Sequence, residues 1–233
     1  MAQAFIGTSG FDYREWKPGF YPADLPRKQF LQYYATRFRS VELNNTFYRI
    51  PDARRIASWA GATADDFRFA LKAPRTITHK ERLKVHSEAL SYFLQTASGL
   101  KERLGALLFQ LPPFFRCDCG RLAEFLAVLP QGIPAAFEFR HASWFVQDVY
   151  GILEKSAAAL CINDGDDGTT PAVVTARFAY VRLRRSSYAE KQLGAWQENI
   201  RVWLDQGIDV FAFIKHQDNP QAPRVAAEFF AGL

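Results

Sequence analysis

Residues 41–51 read V-E-L-N-N-T-F-Y-R-I-P. Val41 and Leu43 fall on one face of an extended segment and Glu42 and Asn44 on the other, because successive side chains of a strand point to opposite faces. The alternation then gives way to Asn45, Thr46, Phe47, Tyr48 and Arg49 before Pro51 closes the stretch. Asp52 follows as a helix cap for a short helical pattern over residues 52–60. The unit is a strand, a polar loop and a helix. Its carboxylate, amides, hydroxyl, aromatics and guanidinium suit one wall of a ligand pocket. The competing reading is a strand end whose polar groups satisfy one another.

The same unit recurs along the chain. Strand patterns lie at 4–8, 41–44, 67–72, 105–111, 135–140, 159–163, 178–184 and 209–215. Several are rich in Phe, Val, Ile or Leu, as parallel strands covered on both faces require. Helical patterns, with apolar residues at three- and four-residue steps, lie at 28–37, 52–60, 83–100, 121–129, 149–158, 189–204 and 224–230. Eight strands joined by crossovers predict a closed (β/α)8 TIM barrel, α/β in class. An open doubly wound sheet is the alternative. The first strand, however, runs into Gly7-Thr8-Ser9-Gly10-Phe11-Asp12-Tyr13, without the G-x-G-x-x-G turn that binds dinucleotides. Neither a repeat period nor a Gly/Ser or Pro linker divides residues 1–233, so one domain is expected.

Composition narrows the class. Of 233 residues, 48% are hydrophobic and 23% charged, the balance of an ordinary globular protein. Aromatics reach 15%, more than a core alone accounts for. A net charge of +5 favours anionic partners, yet no long Lys/Arg run marks a nucleic-acid tail. Cys117, Cys119 and Cys161 make no disulfide framework, and no secretory signal or membrane-length apolar run of ~18 residues is present. A cytoplasmic protein with no membrane partner is expected. The Cys117-Asp118-Cys119 pair lacks the second pair of a zinc site.

In a parallel barrel, chemistry gathers at the C-terminal strand ends and the loops beyond them. Here those ends supply Thr8 and Ser9, Glu42 and Asn44, Lys72, and Gln110 before two prolines. They go on to supply Glu138 and Arg140, then Asn163 and Asp164, Arg182 and Arg184, and finally Lys215 and His216. Positions two apart share a face, so Glu42 with Asn44, Glu138 with Arg140, and Arg182 with Arg184 aim together. Glu42, Lys72, Glu138 and Asp164 are the candidate catalytic groups. The candidate substrate contacts are Thr8, Ser9, Trp16, Asn44, Asn45, Phe47, Tyr48, His79, Gln110, Arg140, Trp144, Arg182, Arg184, Lys215 and His216.

Individual roles have competing readings. Glu42 and Glu138 suit general acid–base work, or else a salt-bridge network closing the mouth. Lys72 could contact an anion, act as an electrophile or form a Schiff base, but with two glutamates nearby an ion-paired lysine is the commoner case. Arg182, Arg184, Arg185, Ser186 and Ser187 occupy the loop where many barrels hold phosphate, and the alternative there is a solvated basic loop. Glu42, Glu138, Asp164 and His216 could converge on a metal, although the chain has only four histidines and no H-x-H or H-E-x-x-H spacing. Asp164-Gly165-Asp166-Asp167-Gly168 reads as a turn, not a calcium loop. The long segment from Ser9 to Pro26, with Phe11, Tyr13, Trp16, Phe20 and Tyr21, reads either as a lid over the mouth or as an apolar cluster beside the barrel. As a lid it would stack sugar rings or bases on Trp16, Phe47, Tyr48 or Trp144.

The chain resembles the YecE-like family, also called domain of unknown function seventy-two, a group of bacterial and archaeal proteins. The matching pieces are G-T-S-G-F-D-Y-R-E-W at 7–16 with F-Y-P at 20–22, and E-L-N-N-T-F-Y-R-I-P at 42–51. F-R-F-A-L-K-A-P at 67–74 with Thr78-His79, L-L-F-Q-L-P-P at 107–113, F-E-F-R-H-A-S-W at 137–144, and Ala222-Pro223 with Ala226 also match. The resemblance runs over essentially the whole length and implies a TIM barrel. It supplies no established reaction and leaves any cofactor open. The chain departs from the family's pattern after the seventh strand, where Arg184-Arg185-Ser186-Ser187 stands in place of a His-Gly pair.

Three functions follow as expectations. The first is an enzyme using acid–base chemistry on a small anionic substrate, phosphorylated or sugar-like. The second is an endonuclease-like barrel that binds or processes nucleic acid. The third is a non-catalytic ligand sensor, since fold does not fix function.

Overall fold

The computed structural model describes residues 1–215 and 221–233. Eight parallel strands form the barrel: β1 (Ala4–Thr8), β2 (Ser40–Leu43), β3 (Arg68–Lys72), β4 (Leu104–Gln110), β5 (Ala135–Glu138), β6 (Ala159–Gly165), β8 (Phe178–Leu183) and β9 (Asp209–Ile214). The two-residue β7 (Gly168–Thr169) folds back antiparallel on β6. Around the barrel the order is β1-β9-β8-β6-β5-β4-β3-β2. The expected (β/α)8 architecture is present, and each strand pattern read from the sequence lies within two residues of an observed strand.

The ring closes between β2 and β1 by backbone approach. Ser9 bridges Glu42 in parallel, and the Gly10 N–H donates to the Glu42 carbonyl at 2.7 Å. Below that bridge the hydroxyl of Tyr34 spans the seam, accepting from the Thr8 N–H at 2.9 Å and donating to the Ser40 carbonyl at 3.1 Å. Gly7 makes this possible: a Cβ there would sit 2.1 Å from the Ser40 oxygen, well inside van der Waals contact.

The barrel interior is filled unequally. Aromatics from β1, β8 and β9 (Phe5, Tyr180, Phe211 and Phe213) face alanines from β3 to β6 (Ala70, Ala106, Ala136 and Ala159). Setting large side chains against small ones suits the close packing of a protein interior. Phe5 and Phe211 stack at 4.8 Å. The opposite strand faces carry Val41, Leu43, Phe69, Leu107, Phe109, Phe137, Leu160, Val181 and Val210 into the larger core beneath the helices.

Among the described residues the helical layer comprises α1 (Phe30–Ala35), α2 (Ala53–Gly61), α3 (Glu88–Ser98), α4 (Cys119–Ala127), α5 (Gln147–Lys155), α6 (Glu190–Asp205) and α7 (Ala222–Ala231). Asp52 caps α2 as expected, its carboxylate accepting from the Arg55 N–H at 2.8 Å. Ser87 and Asp118 do the same for α3 and α4. The crossover from β6 to β8 has no helix and is built from the β7 hairpin and an irregular strap. That strap is fastened by buried Thr175, whose hydroxyl accepts from the Leu160 N–H and donates to the Ala158 carbonyl.

For Trp16, Phe20 and Tyr21 the long first loop takes the second of its two expected forms, while Tyr13 stays near the mouth with its hydroxyl donating to the Ser9 carbonyl. Trp16 and Tyr21 are fully buried, and Tyr21 stacks on Phe30 of α1 at 4.0 Å. Phe20 packs edge-on to Trp16 and Tyr34. These rings form an apolar cluster against α1, beside the barrel and not across its mouth. No helix among the described residues is long and apolar enough to cross a membrane.

Candidate functional site

The alternation that fills the lumen continues upward into polar residues. Moving two positions along from Ala70, Leu108, Ala136 and Tyr180 of the buried interior set reaches Lys72, Gln110, Glu138 and Arg182; Ser9, four beyond Phe5, bridges Glu42 at the end of β2, and two further on from Glu42, Glu138 and Arg182 lie Asn44, Arg140 and Arg184. The strand register, not any local motif, brings these groups together.

Arg182 is the hub. It is 1% exposed, and its guanidinium reaches both carboxylates: Nη2 donates to Oε1 of Glu42 at 2.8 Å, and Nη1 donates to Oε2 of Glu138. The remaining lone pairs are also occupied. Glu42 Oε1 accepts from the Ser9 hydroxyl at 2.8 Å and the Asn44 amide at 3.0 Å, and Glu42 Oε2 from the Tyr180 hydroxyl at 2.8 Å. Glu138 Oε1 accepts from Gln110 at 2.8 Å and from Arg140 at 2.6 Å. Burial alone would push both carboxyls up. For Glu138, Arg182, Arg140 and Arg184 outweigh burial and bring it down to about 2; for Glu42, the Arg182 charge and hydrogen bond likewise hold it below its ordinary value. Both glutamates are therefore ionised and fully solvated by protein donors, a state that favours fixed negative charge over proton transfer.

This arrangement gives the protein an acid limb. Glu138 carries an ordinary value of 4.5 in the unfolded chain and about 2 in the fold, so unfolded molecules take up the proton first as pH falls. Its stabilisation is present above pH 4.5 and lost from there down towards pH 2. Urea midpoints measured across that interval should fall in the wild type and fall less steeply in Glu138→Gln. Parallel curves would remove Glu138 as the cause.

Lys72 stands differently from expectation. With Arg182 already on both carboxylates, its amine makes no ion pair or hydrogen bond among the described residues and lies over the Phe47 ring, 4.2 Å from the centroid. Burial, then the charge of Arg182, lowers its pKa to about 8, with Arg184 adding to the shift and Glu138 and Glu42 opposing it. His79 packs edge-on against the same ring at 5.0 Å and shares a hydrogen bond with Thr78 through Nδ1. Burial, Lys72, Arg75 and Arg140 lower the pKa of His79, favouring the neutral ring. The backbone of β3 is held at this point by the Thr46 hydroxyl, which donates to the Lys72 carbonyl at 2.7 Å.

Above this layer positive charge predominates among the described residues. Arg184 is half-buried, makes no side-chain hydrogen bond or ion pair among the described residues, and has its pKa lowered by burial and by Arg182. Lys215 is lowered by burial and then by Arg184. Among the described residues, Arg140, Arg182, Lys72, Arg184 and Lys215 set five cationic side chains against Glu42 and Glu138, with Asp166 also acting on Lys215. Asn45 and Tyr48 stand exposed on the adjoining rim, with Tyr48 edge-on to Phe47.

Several expected contacts lie elsewhere. Thr8 points outward, its hydroxyl donating to the Gly10 carbonyl and meeting Tyr34. Asp164 is one residue out of phase with the inward set. It faces α6, where Arg185, Thr169 and the indole N–H of Trp196 donate to it, so it ties the β6 hairpin to the loop after β8. Trp16 is sealed in the first-loop cluster, and Trp144 stacks on Phe139 at 4.5 Å with its N–H on the Phe115 carbonyl. Neither ring can stack on a ligand. Arg185, expected in a phosphate loop, is spent on Asp164. His216 lies outside the described residues. The suggested metal set does not converge, since Asp164 faces away and no group of three or more His, Cys, Asp or Glu residues is placed to hold an ion among the described residues. Tyr180 was not anticipated, although it sits two positions before Arg182 on the same face.

Fold and site together define a TIM barrel with a buried Glu–Arg–Glu layer under a cationic mouth. The family model described as "Protein of unknown function DUF72" matches residues 5–233, and the chain belongs to that family. It is similar to the UPF0759 protein YecE of Escherichia coli K12, with 36% identity over 118 residues, covering 50% of this chain and 43% of that protein. It is also similar to the UPF0759 protein YunF of Bacillus subtilis, with 30% identity over 154 residues, 63% of this chain and 54% of that protein. The chain thus spans about half the length of the curated relatives it matches. Among solved structures, a DUF72 family protein from Thermotoga maritima superposes with a TM-score of 0.85 at 28% identity over 98% of both chains. One from Enterococcus faecalis gives 0.78 at 20% identity over 98% of this chain and 96% of the other.

Proposed function

We propose that this barrel is an enzyme that binds a small anionic substrate, phosphorylated or sugar-like, at its C-terminal face and transforms it by acid–base chemistry. The observation carrying this reading is the positive charge of Arg184, Lys215 and Lys72, none of them ion-paired among the described residues, over carboxylates already committed to Arg182 and Arg140. Partly buried cations without counter-ions cost free energy, and a phosphate or carboxylate recovers it through charge-assisted hydrogen bonds. Arg184 and Lys215 hold the anion. Lys72, whose pKa of about 8 lies close to neutral, moves the proton. Glu42 and Glu138 set the field in which Lys72 titrates.

Inorganic phosphate should raise the melting temperature of the wild type well beyond any effect of chloride at equal ionic strength. A ligand at a hundred times its dissociation constant adds about 2.7 kcal/mol to stability. Arg184→Gln should lose most of this increment. Equal shifts with phosphate and chloride would remove the anion site.

A second reading draws on the rim. Tyr48 is 83% and Phe114 63% exposed, and Arg82 lies over the Phe114 ring at 5.2 Å. Exposed rings beside arginines can stack the bases of a single strand. That reading requires single-stranded DNA or RNA binding that weakens steeply with salt and is lost in the Tyr48→Ala/Phe114→Ala double variant. Absence of binding at low salt ends it.

A further inference from the structure

We propose that Lys72 is a covalent catalyst, forming an imine with the carbonyl carbon of an aldehyde or ketone whose phosphate or carboxylate group is held by Arg184 and Lys215. The proposal rests on the reading of the mouth as an anion site and names the substrate class for it. Its basis is geometric. An amine reacts through its lone pair, so a lysine locked to a carboxylate is a poor nucleophile. In this barrel the lock is absent, because the Arg182 guanidinium bridges Glu42 and Glu138 from below and occupies the positions a lysine would take. Lys72 is left at the end of β3 with an apolar ring beneath its amine and cations on two sides, Arg182 and Arg184. Burial and the like charges of Arg182 and Arg184 favour the neutral amine, against the opposing pull of Glu138, Glu42 and the Phe47 ring face, which attract an ammonium. His79 packs edge-on against the same ring, its own pKa lowered by burial and by the charge of Lys72.

The step balances without a further reactant. The Nζ lone pair attacks the carbonyl carbon, and the C=O π pair moves to oxygen. One proton passes from nitrogen to that oxygen, giving the carbinolamine. A second proton, delivered by solvent, converts the hydroxyl to departing water as the nitrogen lone pair forms the C=N bond. The products are a protonated imine and one water. The cationic imine then acts as an electron sink for breaking a bond to the adjacent carbon.

The test is reductive trapping on the full chain. Protein is incubated near pH 7 with glycolaldehyde phosphate or pyruvate and cyanoborohydride, and peptides are mapped by mass. A lysine with a pKa of about 8 holds on the order of a hundredfold more neutral amine at pH 7 than an exposed one, so the secondary-amine adduct should concentrate on Lys72 by about that ratio. Inorganic phosphate should suppress it, and so should Arg184→Gln. Lys72→Arg should abolish the adduct while keeping the phosphate-induced rise in melting temperature. Adducts spread over exposed lysines, or none on Lys72, with the phosphate shift intact, would overturn the imine and leave the anion site standing. Loss of both the adduct and the phosphate shift would overturn the two together.

Discussion

Arg182→Met should lower the unfolding free energy by about 3–5 kcal/mol, the cost of removing one partner from a buried ion network. Arg182 is 1% exposed and its two carboxylate partners are fully buried. Without it, Glu138 keeps Arg140 and Gln110, whereas Glu42 keeps only the neutral donors Ser9, Asn44 and Tyr180. The penalty falls chiefly on Glu42, whose carboxyl then titrates above its unfolded value. A carboxyl raised by folding costs stability above its folded pKa and recovers it as pH falls. Urea denaturation of Arg182→Met should therefore show its largest deficit at neutral pH and a smaller one near pH 5. Adding Glu42→Gln should restore part of the loss, because a neutral amide no longer needs a counter-ion. A deficit under about 1 kcal/mol would mean that the layer is hydrated and the pairing weak.

Lys72→Met should leave the fold intact and lower turnover of the anionic substrate by about 10²–10⁴, the usual worth of a positioned proton-transfer group. Its stability curve supplies a readout that needs no substrate. Lys72 has an ordinary value of 10.5 and about 8 in the fold, so between these pH values the unfolded chain holds a proton that the folded chain has released. Wild-type stability therefore gains a rising component from pH 8 to 10.5. Lys72→Met removes that component and should be no less stable at pH 7. A variant that unfolds, or one that keeps the rise, would show that the amine does something other than titrate in the mouth.

The strands and their inward phase were legible because parallel strands carry apolar residues in runs and end in polar ones two positions apart. Glu42, Asn44, Glu138, Arg140, Arg182 and Arg184 all follow from that alternation. Thr8 and Asp164 broke the reading, since at a strand end two adjacent polar residues compete and only one can face inward. Trp16 and Trp144 misled for a different reason. An aromatic in a polar loop looks the same in sequence whether it roofs a pocket or packs against a neighbouring helix, and only the chain entering α1 and the stack on Phe139 decide. The lysine's pairing was unreadable because it depends on which cation reaches the carboxylates. That contest is settled across the barrel between β2, β5 and β8, far apart in sequence. Tyr180 shared its parity with Arg182 and could have been found from that alone.

The buried Glu42–Arg182–Glu138 bridge also sets a depth. It crosses the lumen at one level, with Tyr180, Cys161 and the packed aromatics beneath it, so nothing entering from the C-terminal side passes below Arg182. The barrel is a shallow cup with a fixed base. Discrimination by substrate length must then be made sideways and upward, by exposed rim positions such as Asn45, Tyr48 and Arg49, while Thr46, which holds the Leu43 and Lys72 carbonyls, stays fixed. Relatives that share the strand ends but differ at these rim positions would be expected to accept the same reacting group on molecules of different reach.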